Sequence, residues 1–208
     1  MINRSSTLRA PAVSRPHAVH ATTSSELGPS LKIATAVFLL SEAVFFGVLI
    51  LVLLYNRAYA DPSVMVGQAM LKILRTGIFT VALVASSFTM WFAERNKHQG
   101  NRRGLQMWLL VTVILGAVFL IGQATEYMDL YAEGMTIRTN LFGTQFYTLT
   151  GLHFLHVTAG VIMLAIVSGL AFFGRSDEPG DNALVPISYY WHFVDVVWII
   201  LFTVVYLL

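Results

Sequence analysis

Long apolar blocks separated by short polar ones set the pattern of this chain. Five blocks, at about 31–55, 73–91, 105–124, 145–173 and 187–208, stay apolar over the ~20 residues that a helix needs to cross a lipid core. Lipid offers no partner to a free backbone amide, so each block is expected to be helical. Charges or Gly and Pro bound the blocks: Lys32 at the first, Arg102 and Arg103 before the third, Gly174 and Arg175 after the fourth. The fourth block is the longest and, at ~1.5 Å per residue, should tilt or project from a ~30 Å core. The expected fold is therefore all-α, a polytopic membrane bundle of five transmembrane helices over residues 31–208.

The basic residues give the expected orientation. With the N-terminus cytoplasmic, nine lie inside (Arg4, Arg9, Arg15, Lys32, Arg95, Lys97, Arg102, Arg103, Arg175) and four outside (Arg57, Lys72, Arg75, Arg138). The C-terminus is then outside. Residues 1–30, rich in Ser, Thr, Ala and Pro and carrying His17 and His20, read as a polar, flexible cytoplasmic tail with little to fold around. It lacks the continuous apolar stretch of a secretory signal peptide. Its Arg and Ser content with few acids also fits a transit peptide. No internal repeat and no matched pair of broken helices marks an inverted-repeat transporter.

Composition narrows the function classes. Hydrophobic residues make up 56% and charged ones 12%, half the quarter or so usual in a soluble domain, which excludes an ordinary soluble enzyme and a disordered protein. The absence of cysteine excludes disulfides, zinc ribbons, iron–sulfur clusters and thiolate copper sites. A net charge of +2 makes no case for nucleic acid.

Few ionisable groups fall inside the blocks: Glu42 in the first, His153 and His156 in the fourth, His192 and Asp195 in the fifth, with Glu126 capping the outer end of the third. A charge in lipid costs at least a few kcal/mol, so these groups should face other helices. Glu42 lies ~15 Å from the inner side and His156 ~16 Å from the outer, so the two match in depth. His153 stands one turn further out, nearer the level of Glu126. His192 and Asp195 share a face of the inner half, where Asp195 can accept from the histidine or from a neighbouring helix. Two readings stay open: a proton path or metal site, or interhelical hydrogen bonds that fix the bundle. A dihaem four-helix bundle needs two histidine pairs with partners on different helices, and two of the three intramembrane histidines share one helix. Ala82 with Ser86 and Thr112 with Gly116 mark close helix packing. Trp91, Trp108, Tyr127, Tyr131, Tyr147, Tyr189, Tyr190 and Trp191 fall near expected interfaces, as aromatic belts do.

The last block carries a resemblance. Tyr190-Trp191-His192-Phe193-Val194-Asp195-Val196-Val197-Trp198 resembles the C-terminal signature of subunit III of the haem–copper respiratory oxidases. Gly151-Leu152-His153-Phe154-Leu155-His156-Val157 is similar to that family's Gly-x-His-x-x-His-Val segment. Ser41-Glu42 with Phe45-Phe46 resembles its buried-glutamate helix, and Gln123, Glu126 and Tyr127 its Gln-x-x-Glu-Tyr. The four motifs stand in family order. Five helices in place of seven resemble the shorter bacterial form, found in quinol oxidases and many bacterial cytochrome c oxidases.

This resemblance implies a non-catalytic, multi-pass subunit of the bacterial plasma membrane, in a proton-pumping oxidase that reduces oxygen to water. The chain itself would hold no haem or copper. Those would reside in partner subunits, the catalytic subunit I and subunit II, while this chain stabilises the core, supports proton uptake and holds phospholipid. The catalytic core carries six intramembrane histidines by family pattern, whereas this chain has six in all, three of them (His17, His20, His98) outside the blocks. Glu42 would be a buried bundle carboxylate, with Glu126, His153, His156, His192 and Asp195 as a polar network or lipid contact. Alternatives are a quinol oxidase subunit, a nitric oxide reductase-type subunit, or an autonomous proton-coupled transporter.

Overall fold

The computed structural model describes residues 24–60, 71–173 and 183–208. Five helices cover them: α1 (Ser24–Tyr59), α2 (Ile73–His98), α3 (Arg102–Ala132), α4 (Leu141–Phe173) and α5 (Leu184–Phe202), which ends in a π-helical turn, Thr203–Leu207. Each contains a stretch long and apolar enough to span a membrane, and the 33 residues of α4 form the longest such stretch. Most of the expected tail lies outside the described residues; helical backbone begins at Ser24, inside its last turns.

Capping chemistry sets several ends. α2 closes where Gly100, at φ +69°, lets Asn101 N–H reach back to Asn96 O and Gly100 N–H to Lys97 O. This is a Schellman turn, which a residue with a Cβ adopts only under strain. Asn101 then caps α3 by accepting from Gly104 N–H at 3.1 Å. Only three residues separate the two helices, which run antiparallel and form the most extensive contact in the bundle. α3 ends in the same way: Gly134, at φ +86°, lets Met135 N–H reach Leu130 O, and Met135 and Leu130 are both buried. Asn140 accepts from Gly143 N–H at 2.7 Å at the start of α4.

The helices differ in how deeply they sit. The most apolar window of α5 is 56% buried and that of α1 only 11%, so α5 is the central helix and α1 the peripheral one. α5 packs against α1, α2 and α4, whereas α1 rests on α5 and only lightly on α4. Trp191 fixes the centre. Its ring lies between Gly116 of α3 and Gly160 of α4, where added Cβ atoms would come within 2.8 and 2.9 Å of it, and its indole N–H donates to Ser86 Oγ of α2 at 3.0 Å. Trp191 is thus a core residue and not a member of an interfacial belt. Small residues make room for it: Gly116 and Gly160 border its ring and Ser86 its indole N–H, with Ser86 four residues after Ala82 and Gly116 four after Thr112.

Candidate functional site

Among the polar contacts that cross the bundle, three engage the carboxylates of Glu42, Glu126 and Asp195. The first realises the depth match of Glu42 and His156. His156 Nε2 lies 3.1 Å from Glu42 Oε2, and Nδ1 lies 2.8 Å from the Leu152 carbonyl. A neutral ring donates through one nitrogen only, so the tautomer with hydrogen on Nε2 serves the carboxylate and the protonated ring serves both acceptors. Phe46 stands edge-on to His156, and Tyr190 O–H donates to the His156 carbonyl at 2.9 Å.

The second contact centres on Glu126. The sequence places this residue as an end cap, but α3 continues six residues past it and Glu126 is 3% exposed. Thr76 Oγ1 of α2 and Tyr206 O–H of the closing π turn each donate to it at 2.9 Å, and Gln123 Nε2 donates at 3.3 Å. One turn further on, Asp129 pairs with Lys72 and Arg75, and Lys72 also reaches Glu133 at 3.4 Å. Charges therefore need not end an apolar helix when a neighbouring helix supplies their partners. On the same side of the bundle, Arg57 of α1 donates to the Val204 carbonyl at 2.6 Å, which ties the π turn to α1 as well.

The third contact joins α2 to α5. Ser87 Oγ lies 3.1 Å from His192 Nδ1 and donates to Asp195 Oδ2. Asp195 thus takes its hydrogen bond from a neighbouring helix, one of the two expected routes, and Ser87 links it to His192.

His153 joins none of these. It is 1% exposed, stacks on Trp198 at 4.9 Å and meets Phe46 and Phe119 edge-on, and neither ring nitrogen has a hydrogen-bond partner among the described residues. The expected nearness to Glu126 in depth produces no contact. Among the described residues no three or more His, Asp or Glu side chains gather as a metal would require. The partners that sequence reading missed are Thr76, Ser87 and Tyr206. They are neutral and cost little in a span, so nothing in the sequence singles them out before the helices are packed.

Five apolar helices joined through buried polar side chains define a multi-pass α-helical membrane protein. The chain belongs to the cytochrome c oxidase subunit III family, whose model matches residues 12–208. It is 36% identical over 178 residues to cytochrome c oxidase subunit 3 of Corynebacterium diphtheriae, covering 85% of this chain and 87% of the relative. It is 37% identical over 188 residues to cytochrome c oxidase subunit 3 of Synechocystis, covering 86% and 77%, and 37% identical over 178 residues to that of Thermostichus vulcanus, covering 83% and 84%.

Proposed function

We propose that this chain is the non-catalytic subunit III of a proton-pumping cytochrome c oxidase in a bacterial plasma membrane, with its N-terminus cytoplasmic. It packs against the catalytic subunit I, in a complex with subunit II, and those partners carry the haem and copper that reduce oxygen to water. Its own work is to stabilise the catalytic subunit, support proton uptake and hold phospholipid. The observation that carries this reading is where the family-like residues go. Glu42 with His156, Glu126, Trp191 and Asp195 are engaged in tying α1 to α4, α3 to α2 and α5, and α5 to α2. Bonds of this kind hold a bundle together, at roughly 0.6–2 kcal/mol each. An apolar cleft of about 180 Å³ between α1 and α4, lined by Leu49, Val52, Thr144, Gln145, Thr148 and Leu149, offers room for a short piece of an acyl chain. The relatives' names support cytochrome c as the electron donor.

The test is a mild-detergent pull-down through a tag on the N-terminal segment, read by a reduced-minus-oxidised spectrum and mass spectrometry. Haem bands with two larger co-purifying subunits are the expected result. A colourless chain that purifies alone and folded overturns the proposal and favours an autonomous transporter. Glu42→Gln separates the two readings again: oxygen reduction continues in an oxidase carrying it, whereas a transporter built on Glu42 loses transport.

A further inference from the structure

The Ser87 contact does something that a simple helix tie does not require. Asp195 is 3% exposed, its Oδ2 accepts from Ser87, and its Oδ1 has no hydrogen-bond partner among the described residues. A carboxylate there would place a full charge in the membrane interior with one hydroxyl to stabilise it, at a cost of several kcal/mol. As a neutral acid, Asp195 presents at Oδ1 only a carbonyl oxygen, whose missing partner costs far less. The other end of the chain of contacts is less enclosed. His192 is partly exposed, and Glu94, also partly exposed, lies on α2 seven residues beyond Ser87, beside Arg95 and Lys97.

A serine hydroxyl accepts and donates at once, so this geometry admits two proton arrangements. In one, a doubly protonated His192 donates from Nδ1 to Ser87 Oγ while Ser87 donates to the Asp195 carboxylate. In the other, the Nδ1–H bond has broken as a new O–H bond formed at Ser87 Oγ, and the original Ser87 O–H bond has broken as one formed at Asp195 Oδ2. The imidazolium has become neutral imidazole, the carboxylate has become the acid, and serine is restored. The ion pair is discharged with no charge left over.

We propose that Ser87, His192 and Asp195 form a proton-storing site, in which Asp195 holds a proton inside the bundle and exchanges it through Ser87 and His192 with the end bearing Glu94. Asp195 ends this run of contacts among the described residues, its Oδ1 having no hydrogen-bond partner there. The other ionisable groups around α5 engage different atoms. Glu42 of α1 binds His156 of α4, His153 of α4 stacks on Trp198, and Glu126 of α3 binds Tyr206.

Infrared difference spectroscopy of the full chain in its native membrane complex, exchanged between H2O and D2O at neutral pH, tests this. A protonated-carboxyl band is expected that shifts in D2O and is missing in Asp195→Asn. In Ser87→Ala the same band should move in frequency, having lost its hydroxyl partner, and should exchange more slowly by roughly 100-fold. Ser87→Thr keeps the hydroxyl and should restore both. The frequency change assigns the band even if the asparagine variant fails to assemble. The proposal is overturned if Asp195→Asn assembles and removes no protonated-carboxyl band, or if Ser87→Ala exchanges at the wild-type rate.

Discussion

Trp191 sits at the centre of the bundle because two neighbouring helices offer it no side chain to displace. At Gly160 a methyl group would come within 2.9 Å of its ring, at a site closed on the other side by Gly116. Gly160→Ala should therefore lower stability by about 1–3 kcal/mol, the range for overpacking a tight core. Gly151 lies on the same helix with nothing within 4 Å of its added Cβ, so Gly151→Ala should raise stability by about 0.5–1 kcal/mol through helix propensity alone. Thermal unfolding in detergent separates the two, and shifts of the same sign in both variants would contradict the packing account. Lys72, outside the spans, gives a pH-dependent counterpart. The hydrogen bond to Asp129, with Glu133 nearby, holds its ammonium above the ordinary lysine range. A raised folded-state value means that the contribution is complete below that ordinary range and fades as pH rises through the raised one. Lys72→Met should thus melt lower than wild type at neutral pH, by a margin that added salt reduces and strong alkali abolishes. At this scale the sequence was uneven to read. The cost of a charge in lipid exposes Glu42 and Asp195 at once, but an indole looks the same in a core as at an interface, so the sequence does not separate Trp191, fully buried, from an interfacial tryptophan.

The count of helices was legible because a span must be apolar over its whole length, and their ends were not, because capping and pairing set them. The third apolar block stops near Ala124, yet α3 runs to Ala132: Glu126 finds Thr76 and Tyr206, and Asp129 finds Lys72 and Arg75. These partners belong to other elements and cannot be read from α3 itself. Tyr206 matters most among them, since it and Arg57 hold the closing π turn of α5. Tyr206→Phe removes one donor from a buried carboxyl group and should cost about 1.5–3 kcal/mol. Thr76→Val removes another donor from the same group. The two losses should not add, because the groups share one acceptor, and a double-mutant cycle measures the coupling. Proteolytic release of the C-terminus should quicken in Tyr206→Phe and stay unchanged in Thr76→Val, since only tyrosine belongs to the turn. Equal release from both variants would mean that Glu126 braces α2 and the turn as a single unit.

On the scale of the whole molecule, the packing is lopsided. α2 and α3 are bound by a short turn and a long interface, and α5 is enclosed by its neighbours, but α1 leaves Val37, Leu40, Val44, Val48, Leu51 and Tyr55 exposed along one side. Its hold on the rest depends on contact with α5, the Glu42–His156 pair and the Arg57 bond to Val204. The depth match that made the Glu42–His156 pair readable in the sequence therefore identifies a joint on which the weakest helix depends. Glu42→Leu removes the acceptor and leaves His156 Nε2 without its partner. With an interhelical bond worth roughly 0.6–2 kcal/mol, the opening of α1 should become about three- to thirty-fold more frequent. Hydrogen exchange read by mass spectrometry should show that increase in peptides of α1 and little change in α2 and α3. Glu42→Gln retains an acceptor for Nε2–H and should lie between the leucine variant and wild type. If exchange instead rises equally in all five helices, α1 opens only with the whole bundle, and the pair stabilises the entire fold and not one joint.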